Sequence, residues 1–150
     1  MNYFPYLCSK LSENSRFMLY RYLRRYPFSS FLIVCIVLLS LLPIPDVKMA
    51  EDIPLVDKWT HMVMYGVLTL AVWFETLRAG VLLSAWRVGL RFFLPVMMGG
   101  LLELAQAYLT TCRSGEWLDF VANTIGVCIG TAVGFAWYLL RKRNKGARGE

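Results

Sequence analysis

Residues 120–140 read FVANTIGVCIGTAVGFAWYLL, 21 positions without one charged side chain. At 1.5 Å of rise per residue such a run makes about 30 Å of helix, the depth of a bilayer's hydrocarbon core. Residues 26–45 form a second charge-free run, of 20 positions. Two further segments are each broken by a single ionisable group: residues 59–74 carry only His61, and residues 92–112 carry only Glu103. A soluble helical protein with a greasy core is excluded by these run lengths. Composition agrees. The chain is 57% hydrophobic and 17% charged, where a soluble domain carries about 25% charged residues.

The expected architecture is an all-α membrane protein with four transmembrane helices in a compact bundle, at about 28–45, 57–77, 89–110 and 118–140. Nothing suggests a second domain, a repeat or a linker. The chain divides into a basic N-terminal segment (1–27), a membrane domain (28–140) and a basic tail (141–150). The first helix is expected to be retained rather than cleaved as a signal peptide. Its basic flank is long, no small-x-small site follows it, and Pro43 and Pro45 act as a helix stop.

Basic residues set the orientation. Of the 16 Lys and Arg, 13 lie in residues 1–27, in the loop that holds Arg78, Arg87 and Arg91, and in the tail. Only Lys48, Lys58 and Arg113 fall on the other side. The positive-inside rule therefore predicts both termini in the cytoplasm. The net charge of +6 is accounted for by this topology and by anionic lipid headgroups, with no nucleic-acid partner. Four cysteines, at 8, 35, 112 and 128, sit at different depths and imply no disulfide framework. With no CxxC and a single His, no metal or other cofactor is expected.

The few polar residues of the membrane segments carry the chemistry. A charge at the bilayer centre costs roughly 2.5–3.5 kcal/mol on insertion scales, so such groups pair, face inward and serve a purpose. In the second helix Asp57, His61 and Tyr65 follow four-residue spacing, and Lys58 lies three before His61, so the four share a face. Asp57 has a simpler role open to it as a helix N-cap, and Lys58 as a snorkelling cation. In the third helix Gly99 leads into Glu103 and Gln106. A glycine there admits a close neighbour, and Glu103, too deep to snorkel, must be paired, protonated or wet. Arg113 follows in the next loop, with a planar fork suited to a carboxylate or phosphate. Asp119, with N-capping as its simpler role, and Asn123 open the last helix. Gly126, Gly130 and Gly134 then form a ladder that seats either another helix of the bundle or a second copy in a homo-oligomer.

The ordered set Asp57-Lys58-x-x-His61-x-x-x-Tyr65, Glu103-x-x-Gln106, Arg113, Trp117-x-Asp119 and Asn123-x-x-Gly126 resembles the VanZ-like family of small integral membrane proteins. The likeness covers about residues 57–130, and the first helix carries no motif. It implies a multi-pass protein of the bacterial cytoplasmic membrane that acts near envelope lipids or cell-wall precursors. The family is named for a member associated with low-level teicoplanin resistance, and it has no established activity.

Three readings follow. In the first, Lys58 and Arg113 engage an anionic headgroup, a cell-wall precursor or a glycopeptide antibiotic, with Glu103, Asp119, Gln106 and Asn123 setting its orientation. In the second, His61 with Asp57 or Glu103 supplies acid–base chemistry to a lipid-linked substrate, although no activated nucleophile stands nearby. In the third, the polar residues are a purely structural network. The first is preferred, with the cluster in the outer half of the membrane.

Overall fold

A computed structural model describes residues 15–18, 20–42, 55–81, 84–109 and 116–147 of the chain. Among them there are helices and no strand. The helices are α1 (Ser15–Arg25), α2 (Pro27–Leu41), α3 (Val56–Arg78), α4 (Ala85–Leu109) and α5 (Trp117–Ala147).

Local chemistry sets the helix ends. Pro27 opens α2, where its missing N–H removes nothing from the helix. α3 closes in a Schellman motif. Gly80 takes the left-handed conformation (φ 64°), its N–H reaches the Leu77 carbonyl, and the Val81 N–H reaches Thr76. Ser84 caps α4 through its hydroxyl, which accepts the Arg87 N–H at 3.4 Å. The Glu116 carbonyl accepts the first N–H groups of α5, from Asp119 and Phe120.

Packing makes α3 the central helix, and its broadest contact is with α5. The glycine ladder is the reason. An added Cβ on Gly126 would collide with the Met62 carbonyl, one on Gly130 would lie 2.8 Å from the Gly66 oxygen, and one on Gly134 would collide with the Trp73 side chain. The ladder therefore seats α3 of the same chain, resolving the alternative left open by spacing alone. Trp73, fully buried, lies over Gly134 with the Phe135 ring edge-on. Val67, Leu101, Leu104, Ile129 and Val133 point outward as an apolar coat.

Two helices are long and apolar enough to cross a membrane, Ala85–Tyr108 and Trp117–Asn144, and α1 with α2 would make a third if the bent pair is one span. The protein is thus an all-helical membrane protein. The four expected spans do not all stand out by apolarity, for physical reasons. α3 has the length, 23 residues, but turns His61, Thr69, Glu75 and Thr76 inward, and buried polar groups lower a helix's hydropathy without exposing it to lipid. α2 is 15 residues long and meets α1 across a 103° bend at Tyr26. The expected boundaries shift as well: α4 begins four residues before position 89, and α5 runs seven past position 140. The N-terminal basic segment contains α1. Pro43, Pro45, Cys8 and Cys112 lie outside the described residues.

Candidate functional site

A polar seam joins the first turns of α3 and α5 to the last third of α4. His61, Glu103, Asp119 and Asn123 are all buried there inside an otherwise apolar bundle. The Asn123 amide fixes the order of the hydrogen bonds. Its Nδ2 donates to Glu103 Oε1 at 3.2 Å, so its carbonyl oxygen turns to His61 Nδ1, 3.0 Å away. A carbonyl accepts only, so Nδ1 carries the proton. His61 Nε2 then faces two carboxylates, Asp57 at 3.8 Å and Asp119 at 4.0 Å. Glu103 Oε1 is also 3.7 Å from His61 Nδ1.

Lys58 sits at the mouth of the seam, where its ammonium reaches Glu116 at 2.5 Å, Asp119 at 2.9 Å and Asp57 at 3.6 Å. It neither snorkels alone nor stands open to an anion. Four carboxylates (Asp57, Glu103, Glu116 and Asp119) converge on one lysine and one histidine, so the seam is an acceptor-rich site. Asp57, His61 and Asp119 offer one ligand atom each within 4.8 Å of one another, a spacing that could hold a metal ion. The Lys58 ammonium already lies against both of those carboxylates and fills the place of a cation.

Not every expected residue joins. Gln106 turns away and donates to the Ser40 carbonyl of α2 at 2.9 Å. Three residues on from Glu103 rotates the side chain about 60° round the helix, enough to face a different neighbour. Tyr65 is buried a turn deeper with Leu68 and Val127, and a Cβ on Gly99 would lie 3.3 Å from its ring and from Asn123. The inward-facing glycine expected there is therefore real. Neither aspartate is an N-cap. α3 is capped at Leu55 without a side-chain bond, and Asp119 is the third residue of α5, after Trp117 and Leu118. Arg113 lies outside the described residues.

Glu116 was absent from the expected site, because it precedes the helix and has no periodic partner. Its place beside Trp117, at the start of a membrane helix, is the only signal. It also lines a lateral groove of about 440 Å³ between α4 and the start of α5, with Glu103, Gly100, Leu104, Trp117 and Phe120. Glu103 is 8% exposed; the Asn123 amide and the Glu116 backbone support its carboxylate, and no side chain among the described residues donates to its Oε2. A buried carboxylate oxygen left this way costs several kcal/mol unless something supplies a donor.

A second buried acid was also missed. Glu75, 4% exposed, lies 14 residues beyond His61, about 21 Å along α3. Its carboxylate accepts the Phe28 N–H at 2.7 Å, the Ser29 N–H at 3.2 Å and the Ser29 hydroxyl at 2.5 Å. It caps α2 from another helix, where the unpaired N–H groups and the helix dipole favour an anion. It lies just past the 59–74 run, near the expected end of the second helix at 77, and only tertiary contact reveals its partner. No family model, no curated protein and no solved structure matches this chain.

Proposed function

We propose that this chain is a VanZ-like integral membrane protein whose polar seam binds the head of an envelope amphiphile, a lipid or a lipid-linked cell-wall precursor, in the outer half of the bacterial cytoplasmic membrane. The membrane domain crosses four times, with both termini in the cytoplasm. α3 is the fourth span. Its 23 residues extend about 34 Å, and its polar side chains are shielded by α4 and α5. The basic-residue split supports the orientation. Single-cysteine variants at Met49, Cys112 and Glu150, probed with an impermeant thiol reagent on intact cells, should label at Met49 and Cys112 and stay silent at Glu150. Label at Glu150, or none at Met49, would sink the four-span arrangement.

The observation that carries the binding reading is a groove open to the side that reaches the buried Glu103, whose Oε2 accepts from no side chain among the described residues. A site that only locked helices together would have its acceptors filled from within. The headgroup must bring donors. Lys58 is engaged by Glu116 and Asp119, so hydroxyl or ammonium groups suit the seam better than the bare anion first expected. The apolar groove leads laterally from Glu103 and suits an acyl or prenyl chain.

Glu103→Gln tests this reading. Gln keeps the oxygen that accepts from Asn123 and keeps the volume, but loses the charge-assisted bond to the ligand, worth about 1.5–3 kcal/mol. Envelope lipid retained by the purified protein, measured by native mass spectrometry, should fall tenfold or more, while the thermal midpoint moves little. If the seam is only a lock, the variant should instead lose about 3–5 kcal/mol and vanish from the membrane.

Acid–base chemistry on a lipid-linked substrate is the second reading. It is favoured by His61, whose Nδ1 is committed to Asn123 and whose Nε2 is aimed at two carboxylates. A His61→Gln variant that binds the lipid but no longer converts it would support this reading over simple binding.

A further inference from the structure

The opposite end of the bundle holds a second opening that the polar seam does not use. A cavity of about 370 Å³ lies between α2, α3 and α4. Its apolar lining includes Ile33, Leu68, Val72, Leu94 and Met98, and Arg87, Arg91, Tyr22 and Tyr26 line it as well. The volume falls in the range of roughly 300–1,000 Å³ typical of small-molecule sites.

Arg91 is the informative residue. It is half-buried, and its fork is held by three neighbours: Nε donates to Thr76 Oγ1 at 3.0 Å, one terminal nitrogen donates to the Arg87 carbonyl at 2.6 Å, and the Tyr26 side chain lies against the guanidinium. Its charge is paired with no carboxylate among the described residues. Glu75, next to Thr76 on α3, is engaged by Phe28 and Ser29. A permanently charged group held rigid at the edge of an apolar cavity is a site for an anion that carries an apolar tail. Burial, then Tyr26 and Glu75, push the Tyr22 phenol up, so it stays neutral and able to donate. The rings of Tyr22 and Tyr26 lie 5.0 Å apart at the bend between α1 and α2, where aromatic side chains suit the depth of lipid headgroups.

We propose that this cavity binds an anionic phospholipid, its phosphate on Arg91 and Arg87 and one acyl chain along Ile33, Leu68 and Leu94. The lipid bridges α4 to the corner at Tyr26. Placement in the cytoplasmic leaflet follows from the topology proposed above and from the anionic surface of that leaflet. The binding itself depends only on the groove.

The test uses the full-length protein in detergent, offered phosphatidylglycerol or phosphatidylcholine of the same chains, with retention read by native mass spectrometry. The wild type should keep one phosphatidylglycerol through conditions that strip phosphatidylcholine. Arg91→Gln should lower retention at least tenfold. Arg87→Gln, at an exposed position and with its thermal midpoint measured alongside, should lower it severalfold, and Leu94→Trp should lower it by filling the tail channel. The share of phosphatidylglycerol that Arg91→Gln removes should be the same with Glu103 intact or changed to Gln, which separates this site from the polar seam. Equal retention of the two lipids, or full retention by the Arg87 variant, overturns the proposal. Displacement of phosphatidylglycerol by millimolar inorganic phosphate overturns it too, since that would mark a free-anion site.

Discussion

Gly126→Ala is expected to destabilise the protein by about 3 kcal/mol, the upper end for overpacking, although it adds a single methyl group. The new carbon would overlap the Met62 carbonyl, which is backbone and cannot rotate aside. The helices must part, and parting them also lifts Gly130 from Gly66 and Gly134 from Trp73, the contacts in register along the same crossing. Gly66→Ala, on the facing helix, is the sharp comparison. Its methyl would meet the Gly126 oxygen at 3.4 Å, an ordinary contact, and should cost less than about 1 kcal/mol. Gly89→Ala meets nothing within 4 Å, and in a helix it should be neutral or stabilising by about 0.5–1 kcal/mol. Thermal midpoints in detergent decide the matter. If Gly66→Ala and Gly126→Ala fall together, the close approach is not as described.

Glu75→Ala should be comparably damaging, through polarity rather than volume. The carboxylate satisfies two backbone N–H groups and a hydroxyl that are otherwise buried at the start of α2. Hydrogen bonds to a charged group are worth about 1.5–3 kcal/mol each, and the stranded donors have no water to turn to. Loss of about 3–5 kcal/mol is expected, with α2 loosened first. Glu75→Gln keeps one acceptor oxygen and should recover roughly half of that loss. Hydrogen exchange at Phe28 and Ser29 reads the effect locally. Exchange there as slow in Glu75→Ala as in the wild type would refute the cap.

The membrane class was legible because it is a property of composition along the chain. The runs at 26–45 and 120–140 leave no polar face for water to solvate. The core of the seam was legible for a similar reason. His61, Glu103, Asp119 and Asn123 are costly in lipid, so each implies a partner, and inward faces follow from helical period. What periodicity could not provide was the identity of the partners. Gln106 shares a helix with Glu103 and serves a different neighbour, because 60° of rotation selects α2 instead of α3 and α5. Asp57 and Asp119 have the chemistry of N-caps, yet each lies inside its helix and faces Lys58 and His61. Spacing offered the caps, and ion pairing with Lys58 and His61, within α3 for Asp57 and across to α3 for Asp119, took precedence.

The sequence by itself determined that the chain is a helical membrane protein, which segments are apolar, and that a few buried polar residues must find one another. Apolar run length, charge distribution and the 3.6-residue period are local quantities that one chain carries without folding. Tertiary structure alone decided that the glycine ladder of α5 receives α3 of the same chain. It also decided that Glu75 caps α2 across 46 residues of sequence, that Lys58 is absorbed by Glu116 and Asp119, and that Arg91 is left to an apolar cavity. Each of these depends on which faces meet at a helix crossing. That choice is settled by backbone sterics within a few tenths of an ångström, and by the pairing of charges that share no local spacing.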